Sequence, residues 1–530
     1  MNMRIIKNIS VILLMALGIA ACTKDFLELE PLTDRVEDNF YKTEQDAFEA
    51  VVAIYDVLQW QCGGGYHPWD LTCNILSDDA FAGGSGPGDR PGLGRMGKFS
   101  NYANDEEPLG LWKDRYSGIY RANLFLEKVN GVEFKTEELK TRLTAEARFL
   151  RGYFYFEMVQ FFGHIPLILK PLPPSEYLQA AADPADVYNQ IASDLYFAYQ
   201  NLPATITAAE KGRASKWAAG ALLARVYLYH EGYGKGVLGI TTDLMADGTA
   251  LTETDIETII DDIVNNSGHG LVPNFADLWG VAKENNIESI FEIQHTQKGE
   301  WGDWGWRNGT EGNWTVVMSG FRGVDDSIYE SGWSFQPASQ SLASEFETGD
   351  SRYSASILDA NAEGLVYKPE DCYQHTGYAF KKFYPRKADR PTVNDPLNWP
   401  YNRPVIRFAD VLLMGAELNL DNNLSKAQDY YSRVRKRAFG ESHVAPTLTN
   451  DQNGLDLIYR ERRVEFAGEG LRYWDLLRRG LNYAEAKINA AAGSSPHDET
   501  FNPATLGLLP IPQTEITLSG NKLKQNAGYY

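Results

Sequence analysis

The chain has 530 residues, 43% of them hydrophobic and 23% charged, enough apolar surface to bury a large core, so disorder is excluded as its overall state. Fifty Lys and Arg stand against 71 Asp and Glu, a net charge of −21, and a chain of that sign repels phosphate backbones, which excludes sequence-independent nucleic-acid binding. Aromatic residues make up 12%, with 12 Trp and 29 Tyr; such rings hold sugars, bases or peptides at small conformational cost.

The N-terminus carries Arg4 and Lys7, then runs from Ile9 to Ala21 with Ser10 as its only polar residue, and reaches Cys22. A charged start followed by an apolar stretch too short to span a bilayer reads as a secretory signal over residues 1–21. Ile19-Ala20-Ala21-Cys22 resembles a bacterial lipobox, in which the signal is cut before the cysteine and the thiol receives diacylglycerol. Acyl chains on Cys22 would anchor the protein to a membrane without making it integral. Residues 22–42, polar and proline-containing, then form a tether. Cys62, Cys73 and Cys372 remain, an odd number in a compartment that permits disulfides. Cys62 and Cys73 bracket the loop Gly63 to Asp70, and a staple or two buried thiols both fit that spacing. The scattered histidines and cysteines form no paired ligand spacing for a metal.

A first helix is expected from Thr43, which can cap with Asp46 three residues on, its apolar stripe being Phe48, Val51, Val52, Tyr55 and Leu58. Gly63 to Gly97 breaks the pattern. A long buried helix starts near Thr136, carries Leu139, Leu143, Ala147, Leu150, Phe154, Met158 and Phe161, and stops at Gly163 before Pro166. Asp183-Pro184 opens another that ends before Pro203, and Ser215 caps a third running to Tyr229. Val405 to Leu420 and Leu424 to Ala438 repeat the paired arrangement, and Leu424-Ser-Lys-Ala427 to Tyr431 resembles half of a tetratricopeptide repeat. Gly236 to Pro400 is rich in Gly, Asn, Asp and Trp, with one strand expected over Glu288 to Ile293. The fold class is therefore mostly α, a tetratricopeptide-like α-solenoid scaffold with a large irregular loop-rich insertion. Residues 43–530 form one domain, with scaffold over 43–235 and 400–480, the loop-rich region over 236–400 and a C-terminal extension over 481–530.

Gly92-Leu-Gly94-Arg-Met-Gly97-Lys98 imitates a phosphate loop, but no apolar strand precedes it and Phe99 stands where a hydroxyl is needed, so it is expected to be a flexible loop. Carboxylate pairs that could serve a glycosidase are Asp78-Asp79 and the run Glu461, Glu465, Glu469. The run lies beside Arg460, Arg462 and Arg463, which suits an ion-pair network better. More informative is Trp301-Gly-Asp303-Trp304-Gly-Trp306-Arg307, followed by Trp314 and Trp333. No helical or strand period would turn all of these indoles inward, and indoles with adjacent Asp and Arg suit an uncharged, polar ligand. Trp112, Trp217 and Trp474 sit in helical patterns and are expected in the core.

Ala145-Glu-Ala-Arg148 to Phe156, Phe162-Gly163, Ile165-Pro166, Arg407-Phe-Ala-Asp410 to Met414, Glu461-Arg-Arg463-Val-Glu465-Phe, Gly470-Leu-Arg472-Tyr-Trp-Asp475 and the ending Gln525-Asn526-Ala-Gly528-Tyr529 together resemble the SusD/RagB family of outer-membrane lipoproteins. So do Cys22 followed by Asp25-Phe26-Leu27, and Phe346 to Arg352. One departure is Ala527, where the family often has Pro. The resemblance implies a helical fold of four tetratricopeptide-like units carrying an irregular binding region. It also implies a non-catalytic, lipid-anchored protein of the outer-membrane surface that captures a glycan for a SusC-like TonB-dependent transporter and uses no cofactor. A peptide-binding member of the same family and, further off, a helical glycoside hydrolase are the alternatives. Trp301, Trp304, Trp306 and Trp314 are the expected stacking platform, with Asp303 and Arg307 as polar contacts. No obvious binding Trp follows Asp79, so the rest of the site is placed at Tyr66, Trp69 and Asp70.

Overall fold

A computed structural model describes residues 40–62, 65–298, 311–393, 396–493 and 496–529. The expectations for the signal, for Cys22 and for Trp301, Asp303, Trp304, Trp306 and Arg307 lie outside them.

Helix α1 (Glu44–Asp56) starts in the expected capping box between Thr43 and Asp46, which satisfies two amides left without partners at a helix start. Its buried stripe is Ala47, Ala50, Val51 and Ile54, a turn of the wheel away from the one expected. Phe48 and Val52 stand exposed, and the Arg213 guanidinium lies 4.6 Å over the Phe48 ring. Two short helices follow, α2 (Trp69–Ile75) and α3 (Pro91–Gly97). The glycine-rich imitation of a phosphate loop is thus the helix α3 and not a flexible loop.

Helix α4 (Glu106–Lys128) packs against α5 (Glu137–Phe162), which Thr136 caps and Gly163 closes in the left-handed region, φ +63°. Next come α6 (Pro184–Asn201), α7 (Lys216–Tyr229) and α8 (Glu253–Asn266), each packed on its predecessor. A turn of π-helix over His230–Gly234 ends α7. The hairpin β1 (Met245–Ala246) and β2 (Thr249–Ala250) lies over α6, whose Asn189 accepts from the Met245 amide at 2.8 Å. After the short helix α9 (Trp314–Ser319), the scaffold resumes with α10 (Phe408–Leu418), which packs on α8 and α11 (Leu424–Phe439). Helices α12 (Gln452–Glu465), α13 (Arg472–Arg478), α14 (Leu481–Ala491) and α15 (Gln513–Leu518) finish the chain. The result is a tetratricopeptide-like stack in which sequential antiparallel helices bury one another's apolar faces. Trp112, Trp217 and Trp474 are in its core.

The insertion has little regular structure. Strand β3 (Ser289–Ile293) pairs antiparallel with β6 (Arg403–Arg407), while β4 (Ile357–Asp359) pairs with β5 (Tyr378–Phe380). The helix expected from Val405 therefore begins three residues later, because Val405 to Arg407 are spent on the β3 partner.

What fastens insertion to scaffold is a lattice of buried charge centred on α12. Glu465 accepts from Arg352 and Arg407 at 3.0 Å each and from Arg437. Glu461 accepts from Arg352 at 2.6 Å and Arg435 at 3.1 Å, and Glu469 from Arg407 at 2.8 Å and Lys382 at 2.7 Å. Asp78 takes a two-pronged bond from Arg472, both arms 2.8 Å, and Asp79 accepts from Arg463 at 2.8 Å. Burial would raise the Glu465 carboxyl, but Arg437, Arg407 and Arg352 outweigh it and hold it well below the ordinary carboxylate range. Burial pushes the Lys382 ammonium down to about 8. The carboxylates that the sequence offered as a glycosidase pair, Asp78, Asp79, Glu461, Glu465 and Glu469, are thus buried and engaged by cations.

Candidate functional site

The chain turns back on itself after α1: Cys62 and Tyr66 form an antiparallel bridge, and the His67 amide donates to the Gln61 carbonyl at 2.9 Å. That turn holds Tyr66 half-buried at the surface, and Gln61 reaches across to the insertion. The Gln61 side chain accepts from the Trp314 amide at 2.9 Å and donates to the Gly312 carbonyl at 3.3 Å. Trp314 opens α9, whose cap is Asn313; the Asn313 amide donates to the Trp399 carbonyl at 2.8 Å. Trp333 is set beside α9 by its own amide, which donates to the Val317 carbonyl at 2.8 Å.

These bonds bring three rings together from positions some 250 residues apart. Tyr66 meets Trp314 edge to face with centroids 5.2 Å apart, and lies near-parallel to Trp333 at 6.3 Å. The Arg90 guanidinium sits 4.2 Å from the Tyr66 ring centroid, a cation–π contact strengthened by partial burial. Arg90 is held there by Glu107 at 2.9 Å and Glu106 at 3.4 Å, at a backbone φ of +52° that an L side chain seldom adopts. Beside it, Asp89 accepts from the Ser85 hydroxyl at 2.9 Å and from Arg322 at 3.0 Å. Burial raises the Tyr66 hydroxyl above its ordinary value, so it is a neutral donor at physiological pH.

The described residues on either side of the tryptophan-rich segment meet near this cluster. One side-chain amide, Asn398, donates to the Lys298 carbonyl at 3.0 Å and accepts from the Glu311 amide at 3.0 Å. The Thr296 amide donates to the Glu311 carbonyl at 3.1 Å and His295 Nδ1 lies 3.0 Å from the same oxygen. Lys298 and Glu311, described residues on either side of Trp301 to Arg307, are therefore pinned together, three positions before the indole that packs on Tyr66.

Of the site residues expected in the described chain, Tyr66 lies half-buried at the surface. Trp314 is 4% exposed and forms the floor under Tyr66, because α9 is buried throughout and offers no outer face. Asp70 is 1% exposed and turned inward, its Oδ1 3.7 Å from Arg403, and burial pushes its carboxyl up to about 7. Trp69 packs edge to face on Phe161 at 5.1 Å and near-parallel on Trp474 at 5.9 Å. Both sit on α2, where Asp70 is buried and is corrected from a ligand contact to an interior residue, while Trp69 is partly buried against the core. Arg90, Asp89 and Arg322 were overlooked; the one signal was a charged pair, Asp89-Arg90, in a stretch otherwise of Gly, Ser, Pro and Ala.

No disulfide joins the described cysteines, and Cys62, Cys73 and Cys372 are buried thiols. Among the described residues no group of three His, Cys, Asp or Glu could hold a metal ion, and no helix is long and apolar enough to cross a membrane.

Two family models match the chain: one described as starch-binding associating with outer membrane over residues 96–228, and one described as the SusD family over residues 288–529. The SusD-like protein P25 of Formosa agariphila is 27% identical over 90% of both chains. Among solved structures, a laminarin binding SusD-like protein is 34% identical with a TM-score of 0.79, covering 92% of this chain and 100% of that one. The surface glycan-binding protein A from Bacteroides thetaiotaomicron, solved in complex with laminarihexaose, is 25% identical with a TM-score of 0.78 over 92% of this chain and 100% of that one. With a relative a third identical along nearly its whole length, and with the helical stack those structures share, this chain belongs to the SusD/RagB family.

Proposed function

We propose that the protein is a non-catalytic glycan receptor of the outer-membrane surface, anchored by acyl chains on Cys22, that captures a laminarin-type glucan and passes it to a SusC-like TonB-dependent transporter. The observation that carries the reading is the meeting of Tyr66, Trp314 and Trp333, near Lys298 and Glu311, which flank the segment bearing Trp301, Trp304 and Trp306 in the sequence. Indoles cover the apolar faces of glucose rings, while Asp303, Arg307 and the Arg90–Asp89–Arg322 group offer donors and acceptors to hydroxyls. The ligand class follows from the laminarin and laminarihexaose in the names of similar structures, and an uncharged glucan suits a chain of net charge −21. Against hydrolysis stands the engagement of Asp78, Asp79, Glu461, Glu465 and Glu469 by buried cations.

The test is calorimetric titration of the soluble chain, starting after Cys22, with laminarihexaose. Replacing Trp304 and Trp306 together with Ala is expected to weaken binding by ~1–3 kcal/mol per ring, the worth of one base stacked on an aromatic side chain. Unchanged affinity in a folded double variant overturns the site.

A further inference from the structure

The cation over Tyr66 is held from beneath by a buried carboxylate. Glu107 lies in the first turn of α4 with its side chain 3% exposed, whereas Glu106, the other partner of Arg90, is 64% exposed. The bond to Glu107 is also the shorter, 2.9 Å against 3.4 Å, and a charge-assisted bond shielded from water is the stronger one.

Two turns close on Glu107 where any side chain would hold them off. A Cβ on Gly92 would overlap Glu107 Oε2, and one on Gly65 would stand 2.6 Å from the Glu107 amide nitrogen. Gly65 directly precedes Tyr66, and Gly92 lies two residues beyond Arg90. One residue of α4 therefore sets the approach of both partners in the cation–π contact. Arg90 takes its φ of +52° immediately before Pro91, a costly conformation for an L side chain that persists only where the surroundings fix it.

The guanidinium held in this way keeps donors to spare. Both of its carboxylate bonds run through Nη2, and among the described residues Nε and Nη1 have no hydrogen-bond partner. The Arg90 side chain is 22% exposed, while the ring under it has the cation over its face and Trp314 and Trp333 against it. A ligand arriving here meets the donors of a planar cation instead of a bare phenol face. Such a fork suits the oxygens of a sugar's hydroxyl edge, whereas the apolar face of the sugar seeks an open ring.

We infer that Arg90 is a specificity-determining contact for the hydroxyl edge of the bound sugar, and that Glu107, which does not reach the ligand, is the positioning residue that holds Arg90 over Tyr66. The inference rests on the glycan-capture reading above and divides the labour within its site. The test is a double-mutant cycle on the soluble chain starting after Cys22, read by calorimetric titration with laminarihexaose. Arg90→Met and Glu107→Gln are each expected to weaken binding by at least about threefold, within the range of one net hydrogen bond. In the Arg90→Met background, Glu107→Gln is expected to cost nothing further, because its effect passes through Arg90. A carboxylate that only supports the fold would cost the same in both backgrounds. Where Glu107→Gln does not fold, Glu107→Asp, one carbon short of Arg90, takes its place in the cycle.

Equal losses in both backgrounds, or none in either, overturn the positioning role of Glu107. Unchanged affinity in Arg90→Met overturns the contact, and tighter binding overturns it in favour of Tyr66 as a stacking face that Arg90 covers. Each of these results leaves the glycan reading standing, since wild type still binds. A folded wild type that does not bind laminarihexaose overturns that reading and the inference with it.

Discussion

Replacing Glu465 with Gln removes one charge from the centre of the lattice that joins insertion to scaffold while keeping the side chain's shape. Removing one partner of a buried ion pair costs about 3–5 kcal/mol, because the remaining charge is stranded. Here the stranded cations keep other acceptors: Arg352 keeps Asp350 at 2.7 Å and Glu461 at 2.6 Å, Arg407 keeps Glu469 at 2.8 Å, and Arg437 keeps Glu288 at 3.1 Å. The cost therefore falls at the lower end, about 3 kcal/mol. Unfolding entropy of about 2.1 cal/mol/K per residue over roughly 470 residues gives about 1 kcal/mol per degree, so the melting temperature should drop by about 3 °C at pH 7. The exposed Glu138→Gln should move it by less than about 1 °C. Because the Glu465 carboxyl is held below its unfolded value, its contribution is present above about pH 4.3 and is lost as pH falls towards the folded value. The gap between wild type and variant should thus narrow in calorimetric scans below pH 4. A gap under about 1 °C at pH 7, or one that stays constant down to pH 3, refutes the argument.

Asp70→Asn tests its correction to an interior residue. Its carboxyl, raised to about 7, contributes stability that is present below about pH 4 and lost as pH rises through 7. The variant should lose less melting temperature than wild type between pH 4 and 8, with laminarihexaose affinity within twofold of wild type. In Gly118→Ala the new Cβ would stand 2.4 Å from Phe154 Cε2, and such overpacking costs about 1–3 kcal/mol; differential scanning calorimetry should show a drop of about 1–3 °C. Thiol titration of the denatured chain starting after Cys22 should count three thiols with or without prior reduction, whereas one thiol before reduction and three after would mean that two of Cys62, Cys73 and Cys372 form a disulfide.

Helix α5 was legible because its signals are local: Thr136 caps it, seven apolar residues keep the period and Gly163 takes the positive φ that ends it. Helix α4 was passed over, since Pro108, Gly110 and Gly118 weaken its pattern; Pro108 is tolerated in the first turn, and Gly118 is required by the Phe154 ring. On α1 the pattern allowed two neighbouring stripes, and packing chose the one with small residues. The last three residues of β6, Val405 to Arg407, read as helix because their partner, β3, lies more than 100 residues away.

The site divides along the same line. The indole-rich segment announces itself in the sequence, but its junction with Tyr66 runs through Gln61 and Asn398, single amides whose partners are remote in the chain. Asp70 is expected at the site because no obvious binding Trp follows Asp79, and it is interior because the α2 residues from Asp70 to Ile75 are all buried.

The most direct test of the central claim is a calorimetric titration of the wild-type soluble chain with laminarin oligosaccharides of increasing length, each mixture weighed afterwards by mass spectrometry. The account predicts saturable binding that strengthens with length, with every oligosaccharide recovered at its starting mass. Shortened products, or a folded chain that binds none of them, would contradict it.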